Sequence, residues 1–543
     1  MSAAARPEQS RARNPLRNRL EAKRNGLPRP TAWRVEPVRI PLRDGVELGA
    51  DLYVPTVPSL GLVLSRSPYG RHGLMLAAGG TWLASQGYTV LLVSTRGTAD
   101  SGGEFDPMRD EVRDGEDVLQ WMRAQPWYPG RFATIGHSYL GYTQWALQSL
   151  APDDLAASIV LMGPHDFSHH FWGSGTFYND LLGWAELSTQ VQKSVFAAIV
   201  GLARSDARLA PVRRATPVLD AADAYFRTTA SWLHDRLTRP ELSDPFWAPM
   251  QHRAVLDTTT VPTLIVAGWY DIFLGQSMTQ FAHLHARGVP TTLICGPWTH
   301  TGGSMHQVAD RQTLEWLDVH LRRAAPAFSR PAVQVQDAAT AVWHSFETWP
   351  PRETHELTFY LHPEEGLTAE RPQGAEAEVS FRFDPADPTP TIGGNHLNGG
   401  GRKNDTALAH RSDTVHFDTQ TLTRAVTITG APVVQLTHAV ELPDADLFVR
   451  VSDVDERGRS HNVSDGYLRT RGGQVELRLA DTAYTVSAGH RLRLLIAGGS
   501  FPAYTINPGT GENPLTATVR HANLHRIVCG PDSRLTLPVL AQP

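Results

Sequence analysis

The sequence predicts an α/β domain interrupted by a helical insertion and followed by an all-β domain of the jelly-roll type. Strands alternate with helices early in the chain, an aromatic and helix-prone segment breaks that alternation, and short strands dominate after residue 350. The 543 residues are too many for one hydrophobic core, so two or three domains are expected. The predicted boundaries are 1–30 for a flexible basic arm, 31–165 and 246–350 for the α/β domain, 166–245 for the helical cap, and 351–543 for the β-sandwich.

The first third of the chain alternates buried strands with amphipathic helices. The segments GLVLSRSPYG (61–70) and YTVLLVSTRG (88–97) are apolar runs that end in polar loops, as buried strands do. The segment DGEDVLQWMRAQP (114–126) has apolar residues at helical spacing. Strands that alternate with helices predict a parallel sheet covered on both faces.

The rhythm changes twice further along the chain. The segment FYNDLLGWAELSTQVQKSVFAAIVGLA (177–203) is aromatic and helix-prone, which predicts an inserted helical cap over the carboxyl edge of the sheet. Strands resume at VPTLIVAGWYD (261–271) and TTLICGPWTH (291–300), and QTLEWLDVHLRR (312–323) predicts a closing helix. After residue 350, segments such as AEVSFRFDP and ADLFVRVSDVD alternate apolar and polar residues, which is typical of a β-sandwich.

The composition is that of a soluble globular protein, with 41% hydrophobic and 19% charged residues. The formal net charge of −5 gives no reason to expect nucleic acid or an anionic membrane as partner. Cys295 and Cys529 are too few for a disulfide framework, and the N-terminal arm lacks the apolar core of a signal peptide. The longest helix-like apolar run, 194–203, is too short to span a bilayer. We therefore expect a cytoplasmic protein, and a homo-oligomeric state stays open.

A serine stands where a predicted strand turns into a helix, within FATIGHSYLGYTQWALQSL (132–150). Residues 132–135 are apolar and partly β-branched, whereas apolar residues from Trp145 onward recur at helical spacing. Ser138 at the apex of such a turn is typical of the nucleophile elbow of α/β-hydrolases. The usual G-x-S-x-G pattern would place a glycine at Leu140, so a tight turn with an exposed serine is the alternative.

Two later strands supply an acid and a histidine. TLIVAGWYD ends at Asp271, and TLICGPWTH ends at His300. The chain order Ser138, Asp271, His300, each just past a strand, is that of the α/β-hydrolase triad. We predict that His300 takes the proton of Ser138 while Asp271 holds the imidazole tautomer. Taken singly, Asp271 could be a helix cap and His300 a loop residue, but three residues in the right order favour the triad.

A tyrosine follows an early strand, in SRSPYG. There the phenol of Tyr69 can donate to a developing oxyanion beside the backbone N–H of Tyr139. The alternative is that this Pro-Tyr-Gly stretch is only a turn.

The motifs of the chain resemble the cocaine-esterase-like family, which groups with X-Pro dipeptidyl-peptidases and α-amino-acid ester hydrolases. In the catalytic part they are SPYG, TRGTADSGGEFDP, RDGEDVLQWMRAQPW, GHSYLGYTQW, GWYDIF and GPWTH; later ones include SDVDERGRSHNVSDGYLR and SAGHRLRLLIAGGSFPAYTINPGTG. Together they extend over nearly everything from about residue 33 to 530. The family elbow is G-x-S-Y-x-G, which accommodates Leu140. The resemblance implies an α/β-hydrolase core with an inserted cap and a C-terminal jelly roll.

The resemblance also implies roles for site residues. Ser138 corresponds to the nucleophile, Asp271 and His300 complete the triad, and Tyr69 with the Tyr139 amide forms the oxyanion hole. Aromatic residues from the cap and from the loop of the catalytic Asp wall the acyl pocket of the cocaine esterase, and the matching residues here are Trp172, Trp184 and Phe273. Ordinary cap packing is the alternative for these three.

One departure narrows the substrate. α-Amino-acid ester hydrolases carry acidic residues just after the catalytic Asp, which bind the ammonium group of the substrate. Phe273 and Leu274 occupy those positions here, which puts that activity in doubt.

A metal site and a cofactor are not expected. His165 and His169 in HDFSHH have the i, i+4 spacing of two metal ligands, but no third ligand accompanies them. Three functions remain open. The first is a serine hydrolase of carboxylic esters that works through an acyl-enzyme on Ser138. The second is an amidase, X-Pro peptidase or acyltransferase with the same triad. The third, disfavoured by the intact triad, is a non-catalytic glycan-binding protein.

Overall fold

A computed structural model describes residues 16–71, 77–193, 195–325, 331–364, 366–373 and 377–541 of the chain. The first domain contains a ten-stranded sheet. Its strands are β1 (Trp33–Pro41), β2 (Glu47–Pro55), β3 (Leu62–Ser67), β4 (Thr89–Ser94), β5 (Phe132–His137), β6 (Leu155–Leu161), β7 (Thr263–Tyr270), β8 (Thr291–Thr299), β9 (Val333–Gln336) and β10 (Trp343–Phe346). Their spatial order is β1-β2-β4-β3-β5-β6-β7-β8-β9-β10.

The centre of this sheet is parallel. Strands β4, β3, β5, β6, β7, β8 and β9 run parallel to their neighbours. Strands β1, β2 and β10 add antiparallel pairings at the two edges. Every residue of β4 and β7 is buried, which explains their nearly unbroken apolar sequences. Parallel strands bring their carboxyl ends to one edge of the sheet, and β5, β7 and β8 therefore deliver their following residues to the same place.

Helices flank the sheet and form the insertion. They are α1 (Leu16–Arg24), α2 (Ala77–Ser85), α3 (Glu111–Arg123), α4 (Tyr139–Gln148), α5 (Phe167–Trp172), α6 (Asp180–Lys193), α7 (Val195–Arg214), α8 (Val218–Phe226), α9 (Leu233–Leu237), α10 (Val255–Thr258), α11 (Leu274–Ala286) and α12 (His306–His320), with short 3-10 helices at Pro245–Met250, Gly303–Met305 and Thr406–His410. Helices α5 to α10 lie between β6 and β7 in the chain, and α5 to α9 share an aromatic core with the start of α4. No helix in the described ranges is long and apolar enough to cross a membrane.

The C-terminal part is an all-β sandwich. Its strands are β11 (Thr354–His362), β12 (Gly366–Thr368), β13 (Ala377–Phe383), β14 (Thr414–Asp418), β15 (Val426–Gly430), β16 (Val433–Val440), β17 (Ala445–Val454), β18 (Ser460–Thr470), β19 (Gly473–Arg478), β20 (Thr482–Val486), β21 (Arg491–Ala497), β22 (Asn523–Cys529) and β23 (Arg534–Leu540). One sheet has the order β12-β11-β23-β16-β22-β13, with β15, β19 and β20 paired to it, and the other has the order β14-β21-β17-β18. Inward-facing residues of both sheets share one core.

The predicted fold class, an α/β domain with a helical insertion followed by an all-β domain, is confirmed. Residues 1–15 of the predicted basic arm lie outside the described residues. Within the rest of that arm the chain forms helix α1, where Ala22 is buried and Asn25 Nδ2 donates to Asp310 Oδ2 over 3.0 Å.

Candidate active site

The turn between β5 and α4 holds Ser138 in a left-handed backbone conformation, with φ 61° and ψ −124°. Two glycines make this turn sterically feasible. A Cβ on Gly136 would lie 2.4 Å from the Cβ of Leu140, and a Cβ on Gly141 would lie 2.6 Å from the Cα of Gly163. Position 141 therefore needs a glycine, because α4 approaches Gly163, just after β6, closely there. Leu140 fills the space that Gly136 leaves open.

Ser138, His300 and Asp271 form one continuous hydrogen-bonded chain. His300 Nε2 lies 2.8 Å from Ser138 Oγ, and His300 Nδ1 lies 2.6 Å from Asp271 Oδ1. The second carboxylate oxygen of Asp271 accepts the backbone N–H of Phe273 over 3.0 Å. A carboxylate that accepts from Nδ1 leaves Nε2 free to accept the serine proton, which is the arrangement that a general base requires.

The surroundings of this chain are largely dehydrated. Asp271 is fully buried, and burial raises the pKa of its carboxyl group, while His300 and the Phe273 amide oppose that rise. The ring of His137 stacks on His300 with centroids 4.8 Å apart. Burial, followed by the neighbouring His300, lowers the pKa of His137 well below its usual value, so His137 stays neutral beside the catalytic imidazole.

Tyr69 follows strand β3, and its phenol contacts Trp184 of the cap and Ser138. Its phenol oxygen accepts the indole N–H of Trp184 over 2.9 Å and shares a hydrogen bond with Ser138. Burial raises the pKa of Tyr69 despite these two hydrogen bonds, so the phenol keeps its proton. A protonated phenol beside the nucleophile can donate to a developing oxyanion.

Tyr139, whose amide is the predicted second oxyanion donor, is anchored by a buried polar network. Tyr139 is the first residue of α4, so its backbone N–H has no acceptor within the helix. Its phenol donates to Glu111 Oε1 over 2.8 Å and accepts the backbone N–H of Met108 over 2.6 Å. Glu111 also forms a buried ion pair with Arg66. These contacts fix the side chain of Tyr139.

Comparison with known proteins now identifies the family. The model of the X-Pro dipeptidyl-peptidase (S15 family) matches residues 44–302, and that of the X-Pro dipeptidyl-peptidase C-terminal non-catalytic domain matches residues 327–536. The cocaine esterase of Rhodococcus sp. (strain MB1 Bresler) is 27% identical over 570 residues, which cover 93% of this chain and 98% of that protein. The chain belongs to the cocaine-esterase-like family of hydrolases.

Solved structures share the whole fold of this family member. An aminopeptidase from the marine sediment archaeon Thaumarchaeota archaeon has a TM-score of 0.79 at 21% identity, with 94% of this chain and 97% of that chain covered. An α-amino-acid ester hydrolase also has a TM-score of 0.79 at 21% identity, with 93% and 96% covered. At these identities the likeness establishes the fold alone.

Two of the three predicted pocket residues of this cocaine-esterase-like chain flank the triad. The Trp184 ring stacks on Tyr139, with centroids 5.8 Å apart and an interplanar angle of 4°. Phe273 meets the ring of His300 edge-on, with centroids 5.4 Å apart. Trp172 is placed differently: it is buried against Phe177, and its indole N–H donates to the Arg236 carbonyl over 3.0 Å. Those contacts support packing of the cap.

The structure adds site residues that the sequence did not indicate. The ring of His170 lies 4.6 Å from that of Phe273, and burial, then the charges of His300 and His169, lower the pKa of His170 to about 3. Asn395 comes from the C-terminal domain, and its side-chain amide donates to the backbone carbonyls of Trp269 and Asp271. A histidine in a helix and an asparagine in a glycine-rich loop carry no sequence signal for such places.

The candidate metal ligands are not brought together. His165 is buried and its Nδ1 lies 3.1 Å from Gln280 Nε2, whereas His169 is exposed. Within the described ranges, no group of three or more His, Cys, Asp or Glu side chains is arranged to hold a metal ion.

Proposed function

We propose that this chain hydrolyses carboxylic esters of small molecules through an acyl-enzyme on Ser138. The observation that carries the proposal is the unbroken hydrogen-bond chain from Ser138 Oγ through His300 to the buried Asp271. Similarity to the cocaine esterase, which extends over 93% of the chain, supports an ester as the substrate.

Acylation begins with attack of Ser138 Oγ on the ester carbonyl carbon. The serine proton moves to His300 Nε2, and Asp271 stabilises the imidazolium that results. The carbonyl oxygen becomes an oxyanion, which accepts hydrogen bonds from the Tyr69 phenol and the Tyr139 amide. Collapse of this intermediate breaks the bond to the alcohol, which takes its proton from His300.

Deacylation repeats the cycle with water as the nucleophile. His300 removes a proton from water, the hydroxide adds to the acyl carbon, and the same two donors hold the second oxyanion. Departure of Ser138 Oγ, reprotonated by His300, releases the acid and restores the free enzyme. Neither step needs a metal or an organic cofactor.

Amide cleavage is the second candidate, because the family model that matches the catalytic part is that of X-Pro dipeptidyl-peptidases. An acyl-enzyme that water or another nucleophile resolves is common to both activities. A p-nitrophenyl ester and a p-nitroanilide of the same acid differ only in the leaving atom. A higher kcat/KM for the anilide would favour the amidase over the esterase.

Covalent labelling tests the nucleophile itself. A fluorophosphonate probe should modify one serine, which mass spectrometry of the digested protein should identify as Ser138. Ser138→Ala should abolish labelling and lower ester turnover by several orders of magnitude. Ser149→Ala is the matched control, because Ser149 ends the same helix α4 and its hydroxyl donates to the Ala146 carbonyl. Labelling that persists in Ser138→Ala would overturn the assignment.

A further inference from the structure

The hydrogen bond between Trp184 and Tyr69 has a fixed direction. An indole N–H is a donor only, so over the 2.9 Å between Trp184 Nε1 and the phenol oxygen it is Tyr69 that accepts. The phenol proton therefore cannot point toward Trp184. A side-chain hydrogen bond with Ser138 also lowers the pKa of the phenol, so the nucleophile lies within reach of an O–H that is directed away from Trp184.

A phenol that accepts one hydrogen bond becomes a better donor in another, because linked hydrogen bonds polarise one another in a low-dielectric site. The aromatic core of the cap, against which the partly buried Tyr69 ring packs, supplies that low dielectric. Without the indole N–H, the phenol proton could rotate away from the serine, and the donor would have to be reoriented during each turnover. Preorganised donors avoid that reorganisation.

The same indole also contacts the second donor residue. The Trp184 ring lies parallel to that of Tyr139, with centroids 5.8 Å apart. The phenol of Tyr139 is hydrogen-bonded to Glu111 and to the Met108 amide. Trp184 belongs to cap helix α6, whereas Tyr69 and Tyr139 belong to the α/β domain. One cap side chain thus touches both residues that supply the oxyanion hole.

We propose that Trp184 is a positioning residue of the oxyanion hole, which orients and polarises the Tyr69 phenol in addition to lining the acyl pocket. The inference rests on the proposed hydrolase function. It assigns to the cap a part in transition-state stabilisation: seating of α6 completes the oxyanion hole. Trp184 acts through Tyr69 and does not itself touch the reacting atoms in this role.

A double-mutant cycle separates this role from packing. Trp184→Phe keeps an aromatic ring and removes the donor, and it should lower kcat about tenfold, the scale of one hydrogen bond. In a Tyr69→Phe background, Trp184→Phe should change kcat by less than about twofold, since no phenol remains to be oriented. Any increase in KM from the smaller ring should be the same in both backgrounds, because that effect does not pass through Tyr69.

Trp247→Phe is the matched control for loss of a cap tryptophan. Trp247 is fully buried in the cap, whereas Trp184 is partly buried, and the indole N–H of Trp247 likewise donates to an oxygen, the carbonyl of Arg239 at 3.1 Å. All variants are assayed well below the melting temperature of the least stable one. Trp247→Phe should leave kcat within about twofold of wild type while lowering the melting temperature about as much as Trp184→Phe.

The double-mutant cycle can also be measured with the rate of fluorophosphonate labelling at Ser138, which requires no knowledge of the substrate. Phosphonylation, like acylation, develops negative charge on an oxygen. Labelling of Ser138 with equal effects of Trp184→Phe in the two backgrounds would overturn the positioning role and leave the hydrolase intact. An unchanged rate in Trp184→Phe alone would do the same. Absence of labelling at Ser138 would remove the proposed function and this inference with it.

Discussion

Ser138 adopts a backbone conformation that a non-glycine residue rarely takes, and the fold holds it there. Its N–H donates to the Leu161 carbonyl over 2.9 Å, and its carbonyl accepts the N–H groups of Gly141 and Tyr142. A positive φ on such a residue costs about 1–3 kcal/mol and persists only where the surroundings enforce it. In this strained conformation the Ser138 side chain directs Oγ toward His300.

Substitution of Ser138 should expose this strain. Ser138→Gly removes the Cβ that makes φ 61° unfavourable, whereas Ser138→Ala keeps it. Both variants lose the nucleophile, so we expect both to be inactive and Ser138→Gly to be the more stable by about 1 kcal/mol in urea unfolding. Equal stability, or a more stable Ser138→Ala, would show that the turn imposes no strain on this residue.

The residues around the proposed acyl pocket favour neutral acids. Trp184 and Phe273 place apolar aromatic rings beside Tyr139 and His300. The cap carboxylate Asp180 is already engaged, because its Oδ2 accepts the Leu397 N–H over 3.0 Å, and burial raises its pKa to about 6. An ammonium group entering this pocket would lose hydration without a dedicated partner, which is costly.

We therefore expect p-nitrophenyl esters of benzoate or butyrate to be cleaved with higher kcat/KM than those of alanine or phenylglycine. A ratio of at least about tenfold corresponds to roughly 1.4 kcal/mol of transition-state free energy. The common leaving group confines the comparison to the acyl side. A preference for the amino-acid esters would contradict the expectation and would direct attention to Asp180, whose charge interacts with that of His300.

At the scale of elements, the loop 390–404 of the C-terminal domain reaches into the catalytic domain. Asn395 Nδ2 donates to the Trp269 carbonyl over 3.0 Å and to the Asp271 carbonyl over 2.9 Å. The Asn395 carbonyl in turn accepts the phenol of Tyr178, from the cap, over 2.7 Å. One residue of the sandwich thus ties the cap to the backbone on which the triad acid sits.

Asn395→Ala should lower kcat about tenfold or more while KM changes by less than about threefold, because two hydrogen bonds of about 1 kcal/mol each no longer hold the backbone at Trp269 and Asp271. The substitution leaves every side chain of the triad in place. Asn398→Ala is its control: Asn398 lies in the same loop, but its amide faces Ser205 of the cap at 3.4 Å. Equal losses in the two variants would assign the effect to the loop as a whole.

The difference between Asp271 and Asn395 shows what a sequence can predict about such a site. Asp271 and His300 follow apolar strands, and parallel strands deliver their ends to one edge, so periodicity alone predicts that they meet. Asn395 lies 124 residues from the carbonyl that it holds, in a loop with no periodic pattern. Glu111 carries no signal for a similar reason, because an acid in the first turn of a helix is ordinary. For its partner Tyr139 the sequence predicts a role of the backbone amide alone.

At the scale of the whole molecule, the β-sandwich carries buried groups that make its folding depend on pH. His438 in β16 and His525 in β22 lie on neighbouring strands, with Nε2 of the first 3.2 Å from Nδ1 of the second. His525 also stacks on Phe381, with ring centroids 4.5 Å apart. Burial lowers the pKa of both histidines below the ordinary value of 6.5, so both are neutral in the folded protein. Because this domain supplies Asn395, the stability of the domain affects the loop that carries Asp271.

Acid should therefore destabilise the protein through this pair. Below about pH 6.5 the unfolded chain takes up protons at these histidines while the native state does not, so the free energy of unfolding is highest above that pH and falls as the pH falls. Each such group contributes a slope of up to about 1.4 kcal/mol per pH unit.

The double variant His438→Gln, His525→Asn cannot titrate at these positions, and proton uptake on unfolding at pH 5 should therefore decrease by up to about two protons. His355→Gln, a change at an exposed histidine of β11 in the same domain, is the control and should leave the slope unchanged. Urea unfolding between pH 4.5 and 8 measures both slopes, and parallel curves for the double variant and wild type would contradict the assignment.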